Sequence, residues 1–193
     1  MRTFERERLA EALLSLPSSR RSFFGASLSD RLLHRAREVR GNADSIRTLT
    51  RIQAAIWETG SADTGLSRLV EECSELIRDE DELGEDYPPI EDSAVCATYY
   101  CLLFLQDDDV MELVRAAERA YEAVDHLAHT DLDADFNDAE AMREVAEHPV
   151  VQNELAWIAD DISLLGNEAY NPLALRDRTA QRLSQNTRPT ARR

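Results

Sequence analysis

The chain of 193 residues contains no lysine: all 22 of its basic residues are arginine. This usage is read as the mutational bias of a G+C-rich genome, since the arginines are scattered along the ends rather than arrayed for forked recognition of phosphates. Glycine and proline are scarce, with six of each, which argues against turn-rich or low-complexity classes and leaves helix as the favoured state. The cysteines number three, Cys73, Cys96 and Cys101. An odd count predicts free thiols in a reducing compartment rather than a disulfide framework. The opening, MRTFERERLAEALL, is charged and amphipathic and lacks the apolar core of a secretory signal. The most apolar stretch, Ala94 to Leu105, has 12 residues, short of the roughly 20 that span a bilayer. Cytoplasmic localisation follows as the expectation. Glycine-rich phosphate loops and G-x-S-x-G are absent, so neither P-loop nor nucleophile-elbow chemistry is indicated.

What the chain has in excess is acid. The formal net charge is −16. Of the 38 acidic residues, 30 lie between Thr59 and Glu168, against five arginines, while both ends are mildly basic. A field of this sign repels nucleic acid and draws in basic partners. Hydrophobic content of 43% supplies a core, so a folded domain is expected rather than a disordered acidic chain.

Apolar residues recur at helical spacing almost throughout. A short first helix over 4–15 ends at Pro17. A second, capped by Ser18 or Ser19, carries Phe24, Leu28, Leu32, Ala36 and Val39 and stops at Gly41-Asn42. A third starts at an Asp44 N-cap and runs to Trp57, and a fourth spans Leu66 to Ile77. Residues 79–90, DEDELGEDYPPI, read as an acidic loop in which Pro88-Pro89 forbids helix. The run SAVCATYYCLLFL predicts a central helix buried on every side. Asp109 and Glu112, at capping-box spacing, open the next helix. Residues 130–137 form a second acidic loop. A short helix follows at about 138–147, His148-Pro149 starts another with the stripe Val151, Leu155, Ile158, Ile162 and Leu165, and Asn171-Pro172 starts the last. The expectation is all-α: one multihelical bundle of about eight or nine helices over 1–185, with 186–193 a flexible arginine-rich tail.

Four segments carry a resemblance: Leu16–Leu33, the Ile56-Trp57-Glu58 helix end, Tyr87-Pro88-Pro89-Ile90-Glu91-Asp92, and Glu147-His148-Pro149-Val150-Val151-Gln152-Asn153-Glu154-Leu155-Ala156-Trp157. In this order they resemble the YjaG-like family, a numbered domain of unknown function. The resemblance implies a bacterial, cytosolic, all-helical protein, and it brings no catalytic residue, cofactor or activity.

Candidate chemistry is sparse. Glu71, Glu72 and Glu75 with Asp92 resemble the paired acidic helices of all-α nucleotide pyrophosphohydrolases, where magnesium or manganese holds a triphosphate. However, Pro88-Pro89 puts a loop where a second metal-binding helix is needed. Asp131, Asp133 and Asp135 have calcium-loop spacing, but Phe136 and Met142 occupy its glycine and glutamate positions. His126 and His129, near Asp125 and Asp133, could share a helical face. The three cysteines fall on apolar stripes and read as core thiols. Arg20-Arg21 and Arg188 to Arg193 form basic clusters read as solvated ends, with contact to an acidic partner as the sharper option.

The leading expectation is therefore a non-catalytic binding protein without a cofactor, engaging a basic protein rather than nucleic acid or membrane. An immunity-type neutraliser of a cationic site is one version. The carboxylates expected to bind are Glu80, Asp81, Glu82, Glu85 and Asp86, with Asp107, Asp108 and Asp109, because loops carry binding residues. The rivals are the metal-dependent hydrolase and a structural homodimer joined through an apolar face such as that of the first helix.

Overall fold

A computed structural model of the chain describes residues 1–59, 65–79, 81, 84, 87–135 and 137–186. Among the described residues there are nine α-helices and no strand: α1 (Arg6–Leu14), α2 (Ser18–Glu38), α3 (Ala43–Thr59), α4 (Leu66–Ser74), α5 (Pro89–Asp107), α6 (Val110–Leu132), α7 (Ala139–Glu147), α8 (Pro149–Gly166) and α9 (Ala174–Asn186). The all-helical expectation holds, as does the element order.

The centre is α5. Its helix includes Ala94, Val95, Ala97, Cys101, Leu102 and Phe104, all withdrawn from water. Two residues, Asp108 and Asp109, turn the chain into α6, so the helices must run antiparallel. Arg119 of α6 accordingly lies within electrostatic reach of Cys96 and Tyr100 of α5. Asp108 takes the left-handed conformation (φ 52°). The Asp109 side chain accepts from Met111 N at 2.9 Å, which caps α6 as its sequence predicts. The other half of that capping box is not used, since Glu112 turns to Arg115 instead. Helix α2 crosses both at Gly25, where an added Cβ would come within 2.8 Å of Cys101 Sγ and of Leu113 Cδ2. That closeness is the reason a glycine sits inside an otherwise regular helix.

Several local expectations are corrected. Neither Ser18 nor Ser19 caps α2, whose N-cap Pro17 makes no side-chain bond. Asp44 is not the cap of α3. Asn42 is, its Oδ1 accepting from Asp44 N at 2.9 Å and Ser45 N at 3.2 Å. Pro88-Pro89 does not exclude helix, because Pro89 is the first residue of α5, where its missing N–H costs nothing. Helix α6 runs on to Leu132, into the stretch expected as loop. The turn after α2 also differs from its expected glycine stop. Arg40 takes the positive φ (60°), while Gly41 leaves room for Glu91, whose Oε2 would lie 2.9 Å from a Cβ there.

Arg20 and Arg21 are not a solvated pair. Arg20 donates to the carbonyls of Leu165 (2.8 Å), Asn167 (2.6 Å) and Glu168 (3.0 Å) at the end of α8. Arg21 donates to Leu13 (3.0 Å), Leu16 (3.1 Å) and Leu14 (3.1 Å) at the end of α1. Two guanidinium forks thus close two helix C-termini, where unpaired carbonyls and the negative dipole end favour a cation. The arginines of the chain's end, 188–193, and the rest of the expected tail from 187 lie outside the described residues.

Candidate functional site

The most strongly built polar site lies inside the bundle, where α2, α8 and α9 meet. Arg31 is fully buried. Its Nε donates to Glu154 Oε1 at 2.7 Å, and its Nη1 to Asp161 Oδ2 at 2.8 Å and Ser27 Oγ at 2.7 Å. Ser27 also reaches Thr179 Oγ1 of α9 at 2.8 Å. Arg182 of α9 closes the other side, with Nη1 2.5 Å from Asp161 Oδ1. Arg35, one turn beyond Arg31, reaches Glu154 Oε2 at 3.4 Å. The Trp157 ring stands 6.0 Å from the Arg31 guanidinium and 5.7 Å from that of Arg182, within range of cation–π attraction. Burial opposes the charge on Arg31, but Glu154 and Asp161 outweigh it and hold its pKa above the ordinary arginine value. The chemistry available is that of fixed ion pairs: neither carboxylate is left as a base with a free face.

A second polar knot joins the start of α5 to its neighbours. Glu91 Oε2 accepts from Asn42 N at 2.6 Å, pinning the α2–α3 turn. Asp92 accepts from Tyr87 Oη (2.6 Å), Cys96 Sγ (3.4 Å) and Arg78 N (3.3 Å). It is 4% exposed. Glu72, by contrast, lies on α4 between Arg51 and Arg68. The Arg51 hydrogen bond is the largest influence on it, and with Arg68 it holds the carboxyl below the usual glutamate range. Glu71 and Glu75 are exposed. The structure therefore does not bring the four carboxylates of the metal reading together. Asp92 is committed to the α5 knot and Glu72 to two arginines. Among the described residues, no three His, Cys, Asp or Glu side chains are grouped so as to hold a metal ion.

The described members of the two acidic clusters fall at opposite ends of the α5–α6 hairpin. Asp107, Asp108 and Asp109 sit at its turn, exposed, with Asp108 Oδ1 accepting from Ser18 Oγ at 3.0 Å and 3.8 Å from Arg21 Nη1. Asp81 precedes the other end and is exposed, its backbone N donating to Asp79 Oδ1 at 2.9 Å. Glu80, Glu82, Glu85 and Asp86 lie outside the described residues. The 19 residues of α5 separate the two ends by about 28 Å at 1.5 Å per residue. The antiparallel turn places the end of α6 beside the start of α5. Asp131, Asp133, Asp135 and Asp138 thus come to the end that Asp79 and Asp81 occupy. These four are exposed. Asp135 accepts from Asn137 N and Asp138 from Glu140 N, both at 2.8 Å. Asp131 faces His148 Nε2 at 3.3 Å. No arginine pairs with any of the four among the described residues.

The remaining candidates separate. Phe136 of the calcium-like loop lies outside the described residues. His126 is exposed, whereas His129 is buried with Asp125 at 3.5 Å, so the two imidazoles occupy different environments. Cys73, Cys96 and Cys101 are buried free thiols, each pushed by desolvation up to about 12. They are core residues, as expected. A groove of about 470 Å³ runs between the first residues, α1 and α8, lined by Phe4, Leu9, Ala12, Leu155, Ile158 and Ile162. None of the residues expected to act lines it. No helix of the described residues is long and apolar enough to cross a membrane.

With helices, crossing and termini placed, the chain can be set beside solved structures. Its fold is similar to that of a DUF416 family protein. That protein is from Shewanella baltica OS155, and its crystal structure was determined at 1.91 Å resolution. The TM-score is 0.72 over 96% of this chain and 95% of the other, with 14% sequence identity. At that identity the likeness is one of fold. No family model matches the sequence, and no curated protein matches it.

The segments behind the sequence resemblance turn out to hold this fold together. Trp57 Nε1 donates to Asp30 Oδ2 at 2.7 Å. Tyr87, Glu91 and Asp92 build the knot at α5. Glu154 and Trp157 belong to the Arg31 network. Sequence reading missed that network. Its one signal was a pair of arginines, Arg31 and Arg35, standing among the buried positions of an amphipathic helix, where charge is rare unless paired.

Proposed function

We propose that this protein is a non-catalytic interaction protein that engages a basic protein partner through the acidic end of the α5–α6 hairpin. We further propose that it is a distant relative of the YjaG-like family. The observation that carries the interaction reading is a division of charge. Arg31 and Arg35 of α2 and Arg182 of α9 are turned inward onto Glu154 and Asp161, while Asp131, Asp133, Asp135 and Asp138 stand exposed without arginine partners among the described residues. Asp135 and Asp138, which accept from the backbone amides of Asn137 and Glu140, are preorganised for cationic side chains. Asp81 belongs to the same surface in this reading, and Asp107 to Asp109 form a second, distal contact about 28 Å away. A partner that touches both would cover one whole flank of the hairpin. An immunity-type neutraliser, seated over the cationic site of a nucleic-acid-binding protein, has this chemistry.

The test is binding of a captured basic partner at rising salt, with an Asp131→Arg, Asp133→Arg, Asp135→Arg triple variant alongside. The expected result is a fall of at least tenfold in association rate between 0.05 and 0.5 M salt, roughly as steered encounters behave, and a similar loss in the variant. Affinity indifferent to both salt and charge reversal would sink the reading.

A further inference from the structure

We infer that the corner of the buried network formed by Arg31, Arg35 and Glu154 binds a chloride-sized anion. Arg31 and Arg35 stand one turn apart on α2 and reach the same carboxylate from its two oxygens, at 2.7 and 3.4 Å. Each keeps one shielded nitrogen, Arg31 Nη2 and Arg35 Nε, that donates to nothing among the described residues. The two side chains are 0% and 9% exposed. Buried guanidinium donors left without an acceptor are costly, and native interiors rarely keep them. Here two of them flank one carboxylate.

The charge points the same way. The network's buried members are Arg31, Arg35 and Arg182 against Glu154 and Asp161. That is one positive charge in excess, and adding the half-exposed Arg178 and Asp160 pair leaves the excess unchanged. The chain as a whole carries −16, so this interior corner has the opposite sign to its surroundings. The Trp157 face covers Arg31 and Arg182 but supplies no formal negative charge. A single anion accepting from Arg31 Nη2 and Arg35 Nε answers both the unpaired donors and the excess charge. With the two side chains so withdrawn from water, a small anion is favoured over a larger and more strongly hydrated one such as phosphate, whose desolvation costs more. A neutral water would satisfy the donors only. Both donors stand on α2, so the anion would fix the two guanidinia from which Glu154 of α8 accepts, making the packing of these helices dependent on halide.

The experiment compares thermal unfolding in sodium chloride and sodium gluconate at equal ionic strength and pH. Chloride near 0.1 M is expected to raise Tm by about 2–4 °C, with a saturating dependence, as site binding to the folded state requires. Arg35→Met removes one donor and the excess charge while keeping an apolar stem, and it should abolish the chloride-specific increment. Crystals of the unaltered protein soaked in bromide should show an anomalous peak beside Arg31 Nη2 and Arg35 Nε, so the inference can be judged even where the variant does not fold. Equal Tm in the two salts, an increment that survives Arg35→Met, or an internal water only at the site would each overturn it.

Discussion

Arg31 Nε and Glu154 Oε1 lie 2.7 Å apart with both side chains withdrawn from water, at 0% and 1% exposure. An ion pair so placed ties α2 to α8 at the cost of desolvating two charges, and the cost is offset only while both partners and their neighbours remain. Removing Arg31 leaves buried Glu154 with only the 3.4 Å contact to Arg35, and Asp161 with Arg182 and Ser27. Arg31→Met should therefore destabilise the fold by about 3–5 kcal/mol. Replacing all five buried charges together, Arg31, Arg35 and Arg182 by Met and Glu154 and Asp161 by Leu, should recover most of that loss, because no buried charge then loses its partner. Urea denaturation of the single and fivefold variants checks both statements; a single variant of unchanged stability would remove the network from any account of this fold.

Gly25 marks the closest approach of α2 to the hairpin. A Cβ there meets Cys101 Sγ and Leu113 Cδ2 at 2.8 Å. Gly25→Ala should cost about 1–3 kcal/mol by overpacking, even though alanine is the better helix former. Adding Cys101→Ala should return part of the loss, because the sulfur is one of the two obstructing atoms. If the double variant is no more stable than the single one, the clash is not the cause.

Asp30 gives a pH dependence of definite sign. Burial is the largest influence on it and raises its pKa, against the lowering hydrogen bond from Trp57. A carboxyl whose pKa is higher folded than unfolded binds a proton more tightly in the folded state. Its ionisation therefore destabilises the fold above both values, and the penalty is relieved as pH falls through the raised value. Asp30→Asn keeps an acceptor for Trp57 Nε1. It should match or exceed the parent's stability at pH 7 and lose that advantage at about pH 3, below the ordinary aspartate range. Chemical denaturation at the two pH values decides it; an advantage that grows on acidification contradicts the sign.

The three thiols, pushed up to about 12 by burial, should be almost entirely protonated at pH 8 and shielded from reagent. Native protein should react with an aromatic disulfide reagent far more slowly than urea-unfolded protein, which should expose all three. Rapid modification of the native chain would contradict their burial.

The helical class, the order of the elements and most of their bounds were legible in the sequence. They follow from local rules: apolar spacing of 3.6, a cap, a proline at a helix start. Val110, Leu113, Val114 and Ala117 on one stripe need no knowledge of what they face. The fully apolar α5 announced its central place in the same way. Tertiary structure decided what the polar residues do. Arg20 and Arg21 look like a solvated pair along the chain, yet they close two helices whose ends lie 145 and eight residues away. Glu72 and Asp92 look like partners and are not, since each meets a different set of donors. Asp81 and Asp107 share a sign and stand at opposite ends of one helix, whereas Asp81 and Asp131 share an end because a two-residue turn reverses the chain. The physical reason is range. Helix formation is settled over a few residues, whereas pairing a buried charge depends on groups that only the completed packing brings within 3 Å.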